Sequence, residues 1–422
     1  MKKILIKSGK LIDGVSNQEI LTDILCEDGK VVKIEENIEG SGAEVIDASG
    51  KYVLPGLVDV HVHFRDPGFE YKEDIYTGAK AAARGGFTSV VLMANTKPTV
   101  DNEETLSYIL NKGAETAINV YTCATVTMGM EGQKMVDMDS LYHKGAVGFT
   151  DDGKPIMDAE LVRNAMIKVK ELGVPISFHE ENPEFITNNG VNRGAASEHY
   201  GIGGSPREAE IDLIARDIEI AKETGADINV QHISSKEGVE IVRNARKTHK
   251  NIHAEATPHH FSLDEQAVIE HGTNAKMNPP LRTNDDRMAI IEGLRDGTID
   301  LIATDHAPHS SEEKAQDITK APSGIIGLET ALSLGITNLV CPGYLSMNQL
   351  VEKMSTNPAK LYKLEAGTIE AGGKADMIIV DDKADMVYTS YESKSSNTPF
   401  TGVQLKGKVM YTICNGLVVY KA

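Results

Sequence analysis

Four cysteines in 422 residues, Cys26, Cys123, Cys341 and Cys414, stand far apart with no CxxC pair. They suggest neither a disulfide framework nor a thiolate zinc site, and a reducing cytoplasm fits them best. Basic runs are also missing. No stretch of Lys or Arg exceeds a pair, and 43 Lys and Arg against 62 Asp and Glu leave a net charge of −19. That balance repels nucleic acid and anionic membranes, so neither is expected as a partner. No apolar run reaches the roughly 18 residues of a membrane-spanning helix. The opening stretch, MKKILIKSGKLIDG, has a broken apolar segment and no small-residue cleavage site, so neither export nor membrane insertion is expected. What is present is an ordinary globular balance, 41% hydrophobic and 25% charged, which excludes collagen-like, coiled-coil and disordered readings of the whole chain. Against the acidic excess stand 13 histidines, and their placement carries the most information.

The first 55 residues read as short strands broken by turns: Lys3–Ser8, Thr22–Glu27 after Asn17-Gln18, Val31–Ile34 after Asp28-Gly29, and Ala43–Ile46 before Ser49-Gly50. The Pro55-Gly56 pair then predicts a turn and a boundary. Beyond it lie eight short apolar β-type segments: Leu57–Phe64, Thr88–Ala94, Ile118–Thr125, Ala146–Thr150, Pro175–His179, Asp227–Ile233, Asn251–Thr257 and Leu301–Ala307. Helical patterns lie between most of them, including Tyr76–Arg84, Asp158–Leu172 and Pro206–Thr224, the last with Ser205 as N-cap and Pro206 as first helical residue. Alternating β and α segments mean a (β/α)8 TIM barrel or a doubly wound sheet. Polar, chemically capable residues at the ends of many different strands favour the barrel, since a sheet would gather them at one crevice. After about residue 360, β segments return at Gly367–Ile369, Ala375–Asp381, Val409–Asn415 and Gly416–Tyr420. They are too few to close a domain alone. The expected architecture is therefore a barrel over 56–360 and one small β domain formed from both chain termini, 1–55 plus 361–422.

On the first barrel segment a period of two puts Asp59, His61 and His63 on one face and Val58, Val60, Val62 and Phe64 on the other. Neutral imidazole suits zinc, and same-face histidines can chelate one ion. Three other segments end in His179, in His232 and in Asp305-His306. An aspartate closing so apolar a strand needs a partner, and a cation is the economical one. Segment four ends in Thr150-Asp151-Asp152-Gly153, where one carboxylate could bridge two cations. With His61, His63 and Asp305 on one side and His179 and His232 on the other, this supplies a binuclear site. Spacing alone leaves Asp151 and Asp152 both open as the bridge. His253 and Glu255 share a face of segment seven, with His259 and His260 following, and all read as hydrogen-bond partners behind the ligands.

The ordered set from Asp59 to Gly68, the Phe149–Gly153 turn, Asn278-Pro279-Pro280-Leu281-Arg282, Asp305–His309, Gly327–Thr330 and the tail Gly373–Asp376 resembles the amidohydrolase superfamily, most closely dihydroorotases of the class I type. The resemblance implies that His61, His63 and Asp305 bind a first zinc, that His179 and His232 bind a second, and that Asp152 bridges them. Hydantoinases and allantoinases use a carbamylated fourth-strand lysine instead. The only nearby candidate here, Lys154, lies beyond the turn.

The resemblance further implies reversible hydrolysis of the cyclic amide of L-dihydroorotate to N-carbamoyl-L-aspartate in pyrimidine biosynthesis. A metal-bridging hydroxide is the nucleophile and Asp305 the general base and acid. Arg65 follows the metal pair by two residues, where its fork can grip a substrate carboxylate. By resemblance Asn95 joins Arg65, Asn278 and His309 meet the ring edge, and Ser323 and Gly324 contribute mainly backbone, with Ser323 where the family has Phe. The polar Ser310–Thr319 stretch is a candidate lid. One or two Zn2+ per subunit, with a binuclear site favoured, a homodimer, and association with aspartate carbamoyltransferase complete the expectations. The alternatives are an allantoinase-like or hydantoinase-like cyclic amidase and a non-catalytic scaffold partnering aspartate carbamoyltransferase. Complete metal ligands count against the scaffold.

Overall fold

A computed structural model describes residues 3–16, 18–40 and 42–422. Asn17, in the first expected turn, lies outside the described residues. The amino-terminal strands are β1 (Lys3–Ile12), β2 (Glu19–Glu27), β3 (Lys30–Glu35), β4 (Glu44–Asp47) and β5 (Tyr52–Pro55). The central chain gives β6 (Leu57–Val62), β7 (Phe87–Leu92), β8 (Asn119–Thr122), β9 (Ile176–Phe178), β10 (Ile228–Val230), β11 (Ile252–Ala256) and β12 (Leu301–Ile302). The carboxy-terminal part gives β13 (Met377–Val387), β14 (Gln404–Cys414) and β15 (Leu417–Lys421).

Strands from both termini share one sheet, in the order β15-β14-β13-β5-β1-β2-β3, with β4 paired to β1. Its junction is β13 against β5, antiparallel, with Ile378 opposite Leu54. Ile4, Ile6, Ile24, Val53, Met377, Ile379 and Ile413 pack into a buried cluster of their own. Two expectations fail here. Pro55, expected in a turn with Gly56, ends strand β5, whose apolar residues fill the gap between the two terminal segments. Gly367–Ile369 forms no strand; the Ile369 N–H donates to the Asp13 carbonyl at 2.9 Å. Gly56 takes the chain out of this sheet, and a Cβ there would collide with the Thr88 side chain, a space only glycine leaves.

The central strands are parallel and lie in two sheets, β6-β7-β8 and β12-β11-β10-β9. Single parallel bridges Ala124–Phe149, Phe149–Ile176 and Val62–His306 link their edges. Expected segment four, Ala146–Thr150, is therefore reduced to the bridges at Phe149. Gly148 weakens it as a strand, and the Asp151 carboxylate is tied to the Val126 and Thr127 N–H groups in the neighbouring loop. Helices such as Ile75–Gly85, Ala159–Leu172 and Arg207–Thr224 fall where the apolar periodicity places them. The last starts differently: Pro206 is the N-cap, and Ser205 Oγ donates to Glu181 instead of capping the helix.

Strict alternation on β6 also fails. The register slips between Asp59 and Val62, so Val58 and Val60 pack inward with Val91, Leu301 and Tyr362, while Val62 and Phe64 join the larger core. An extra residue on one strand of a pair bends that strand and re-aims the side chains beyond it. The Asp59 carboxylate is used by the backbone: it accepts the N–H groups of His61 and Thr304. Burial pushes its carboxyl up to about 7.

Candidate metal centre and substrate cavity

Every side chain of the site sits at or just beyond the carboxyl end of a parallel strand. His61 lies on β6 and His63 beyond it, Asn95 follows β7, Asp152 follows the Phe149 bridges, His179 follows β9, His232 follows β10 and Asp305 follows β12. Three residues of the site region hold sparsely populated backbone conformations, with φ of 59° at Arg65, 30° at His232 and 48° at Asp305. Such conformations cost about 1–3 kcal/mol each and persist where the surrounding structure fixes them.

Three of the four histidines share one arrangement. His61 Nδ1–H donates to Glu255 at 2.6 Å, His63 Nδ1–H to Asn95 Oδ1 at 3.0 Å, and His179 Nε2–H to Glu181 at 3.1 Å. Each bond ties the outer ring nitrogen and leaves the inner one as a lone pair. The inner nitrogens converge on carboxylates: His61 Nε2 is 3.6 Å from both Asp152 and Asp305, and His63 Nε2 is 3.5 Å from Asp152 and 3.0 Å from Asp305. His179 Nδ1 lies 3.0 Å from His232 Nε2 and 3.9 Å from Asp152. His61, His63 and Asp152 form one group of metal-ligating geometry, and Asp152, His179 and His232 form a second. Asp152 belongs to both. Asp305 adjoins the first group through His63 and His61.

Whether these residues fit a metal is decided by His61 Nε2, which is buried with no hydrogen-bond partner. A buried lone pair so placed, its ring locked from behind by a carboxylate, is the donor arrangement of a metal site. Charge couples the members of the cluster: burial alone would lower His61 and His179, but Glu255 and Asp152 raise His61 well above its ordinary value, and Glu181 raises His179. Burial raises the Asp152 carboxyl, but His61, His63 and His179 outweigh that and hold it below the usual carboxylate range. Burial, with His179 and His61 alongside, keeps His232 well below its ordinary value and hence neutral. The residues present fit divalent cations.

Asp151 does other work. Its carboxylate accepts Val126 N–H, Thr127 N–H and the Thr127 hydroxyl, fixing the loop that presents Asp152. Lys154 is exposed beyond the turn.

A cavity of about 200 Å³ opens over the cluster, lined by His63, Arg65, Asn95, Asn278, Ser323 and Gly324 among others. Arg65 donates to Pro308 O at 3.3 Å and lies 3.4 Å from His309 Nε2, and no carboxylate pairs with it among the described residues. The acids near it in sequence are engaged elsewhere: Asp66 with Lys112 and Tyr108, Glu70 with the Gly68 N–H. Burial pulls the Arg65 guanidinium below its ordinary value, so an anion is the partner it lacks.

The remaining expected contacts are placed unevenly. Both ends of the Asn95 amide are committed, to His63 and Asp152. The Asn278 amide stands 3.0 Å from His179 Nε2. His309 does not line the cavity; its Nε2 is 2.9 Å from Ser323 O, so it stands between Arg65 and the Ser323 wall. Gly324 has φ of 109°, and a Cβ on it would meet Ala307 at 2.6 Å. The Ser310–Thr319 stretch is pinned from below: Lys314 Nζ donates to Pro322 O and Gly324 O, and Lys276 Nζ to Ile318 O and Ala321 O. His253 departs from expectation. It pairs with Asp300 at 2.7 Å near the opposite strand ends, because two residues along a strand separate it from Glu255 by a full pleat.

Glu181 and Asn189 were not singled out from sequence. Glu181 had a signal in the His179-Glu180-Glu181 run, and Asn189 in the Asn188-Asn189-Gly190 turn that brings it to the cavity.

A family model described as dihydro-orotase-like matches residues 50–238. The dihydroorotase of Clostridioides difficile is 56% identical over 420 residues, covering 99% of this chain and 100% of that protein. The Streptococcus pneumoniae dihydroorotase is 50% identical over 421 residues, with 99% and 100% covered. Among solved structures, the L-hydantoinase (dihydropyrimidinase) from Arthrobacter aurescens superposes with a TM-score of 0.89 at 27% identity, over 100% of this chain and 96% of that one. The dihydropyrimidinase from Brevibacillus agri NCHU1002 gives 0.86 at 26% identity, over 99% and 95%. The architecture is shared with dihydropyrimidinases, while identity of half or more over nearly the whole length is shared with these dihydroorotases: the chain belongs to the dihydroorotase family of the amidohydrolase superfamily.

Proposed function

We propose that the protein is a metal-dependent dihydroorotase that opens the ring of L-dihydroorotate to N-carbamoyl-L-aspartate, and closes it in the biosynthetic direction. The observation that carries this is the Arg65 guanidinium, free of any carboxylate partner among the described residues and facing a small cavity over the His/Asp cluster. Dihydroorotate offers one carboxylate, which a guanidinium grips in two parallel hydrogen bonds. Allantoin and the simple hydantoins offer none.

His61, His63 and Asp305 would hold one Zn2+, and His179 and His232 a second, with Asp152 shared between them. When bound, such ions lower the pKa of a water and polarise the amide carbonyl. The chain's own residues do the rest. Arg65 fixes the substrate carboxylate, and the Asn278 amide and the Ser323-Gly324 backbone orient the ring. The Asp305 carboxylate takes the proton of the attacking water as the C–O bond forms, and passes it to the ring nitrogen as the C–N bond breaks. Its backbone conformation aims it at the face shared with His63.

The same reading extends to the architecture. The two parallel sheets and their linking bridges form one eight-stranded (β/α)8 barrel over residues 56–360, and residues 1–55 with 361–422 form the appended β domain. The hydantoinase alternative has the structural neighbours in its favour; against it, Asp152 is common to both groups of metal-ligating geometry and Lys154 is exposed beyond the turn. Steady-state kinetics of Arg65→Met test the assignment. KM for dihydroorotate should rise about 10- to 100-fold, the loss of a charged hydrogen-bonded pair. An unchanged KM would contradict it.

A further inference from the structure

The parallel strands have a second end, and a cavity of about 600 Å³ lies there. Its walls come from residues just before the strands, Asp227 ahead of β10, Lys250 ahead of β11 and Asp300 ahead of β12, and from the helix Asn357–Leu361. The metal cluster comes from residues after the strands, so the two sites are separate. In a chain of net charge −19, this wall carries six Lys and Arg against four Asp and Glu.

Much of the negative charge is already paired. Asp300 pairs with Arg246 at 2.8 Å and His253 at 2.7 Å, and Asp296 pairs with Arg243 at 2.9 Å. Lys353 is different. It is 4% exposed, yet its ammonium has one acceptor among the described residues, the Ile299 carbonyl at 3.3 Å. An ammonium has three N–H donors, and a buried charge lacking acceptors is costly. Lys250 and Lys360, exposed at the same cavity, have no carboxylate partner among the described residues either. The Asp227 and Glu352 carboxylates also line it with no hydrogen-bond partner among the described residues, which leaves acceptors for hydroxyl groups. No Phe, Tyr or Trp lines the cavity, and its one imidazole, His253, is tied to Asp300 at 2.7 Å, so the wall offers no broad platform for a stacked base.

We propose that this cavity is a binding site for a sugar phosphate, with Lys353 on the phosphate at its inner end, Lys250 and Lys360 at its mouth, and Asp227 and Glu352 on the hydroxyls. The volume suits a ligand larger than phosphate alone, within the usual range of small-molecule pockets. The cavity's ligand is independent of the reaction at the opposite strand ends.

Isothermal titration of the metal-loaded full chain with ribose 5-phosphate, at fixed ionic strength, tests this. The expected result is saturable 1:1 binding, weakened about tenfold or more by Lys353→Met and severalfold by the exposed Lys360→Ala, and unchanged by Arg65→Met. Lys360→Ala keeps the test open if Lys353→Met does not fold. Any of four results would overturn the proposal: no binding at millimolar ligand, binding lost in Arg65→Met but kept in Lys360→Ala, equal heats from sodium chloride, or equal affinity for inorganic phosphate.

Discussion

Glu255 Oε1 lies 2.6 Å from His61 Nδ1 and accepts the His232 backbone N–H at 3.2 Å, so one buried carboxylate holds a histidine from each of the two His/Asp groups. Its second oxygen takes Asn229 Nδ2 at 2.9 Å. Replacing Glu255 with Gln keeps the shape but removes the charge facing the His61 N–H. Metal affinity should fall about 10- to 100-fold, read by competition with a chelator and elemental analysis. Unaltered retention would show that Glu255 does not orient the ligands.

The adjacent aspartates should separate cleanly. Asp152→Asn removes the residue shared by both groups, so the purified protein should lose bound metal and activity together. Asp151→Asn should keep its metal while losing about 1–3 kcal/mol of stability in denaturant unfolding, because its loop hydrogen bonds weaken. Reversed phenotypes would assign the bridge to Asp151.

Lys314 makes a pH-dependent contribution. Burial, with Lys276 nearby, pulls its ammonium down to about 7 from an ordinary value of 10.5. Between those values the unfolded chain binds more protons than the folded one, so stability gains from this group as pH rises from 7 towards 10.5. Compared with Lys314→Met, the wild type should therefore become relatively more stable across that window in thermal unfolding at matched ionic strength. A difference that does not change with pH would contradict this.

Much of the site was legible because its chemistry is local. A period of two, apolar segments and terminal His or Asp residues were enough to bring His61, His63, His179, His232 and Asp305 together. The rest depended on long-range pairing. Glu255 is the hydrogen-bond partner behind the ligands that its strand face suggests, but which histidine it meets, His61 across 194 positions, no spacing signals. The register slips on β6 between Asp59 and Val62, where Asp59 accepts backbone N–H groups, and local alternation gives no warning of a bulge. Segment four faded because a carboxylate competed for loop N–H groups, and the Tyr52–Pro55 strand formed because distant terminal strands needed a central partner.

Substrate identity separates a dihydroorotase from the other cyclic amidases. Purified, zinc-replete protein should turn over L-dihydroorotate, lose that activity on Asp305→Ala, and ignore allantoin and 5-substituted hydantoins under the same conditions. Turnover of the hydantoins or allantoin without dihydroorotate would contradict the account.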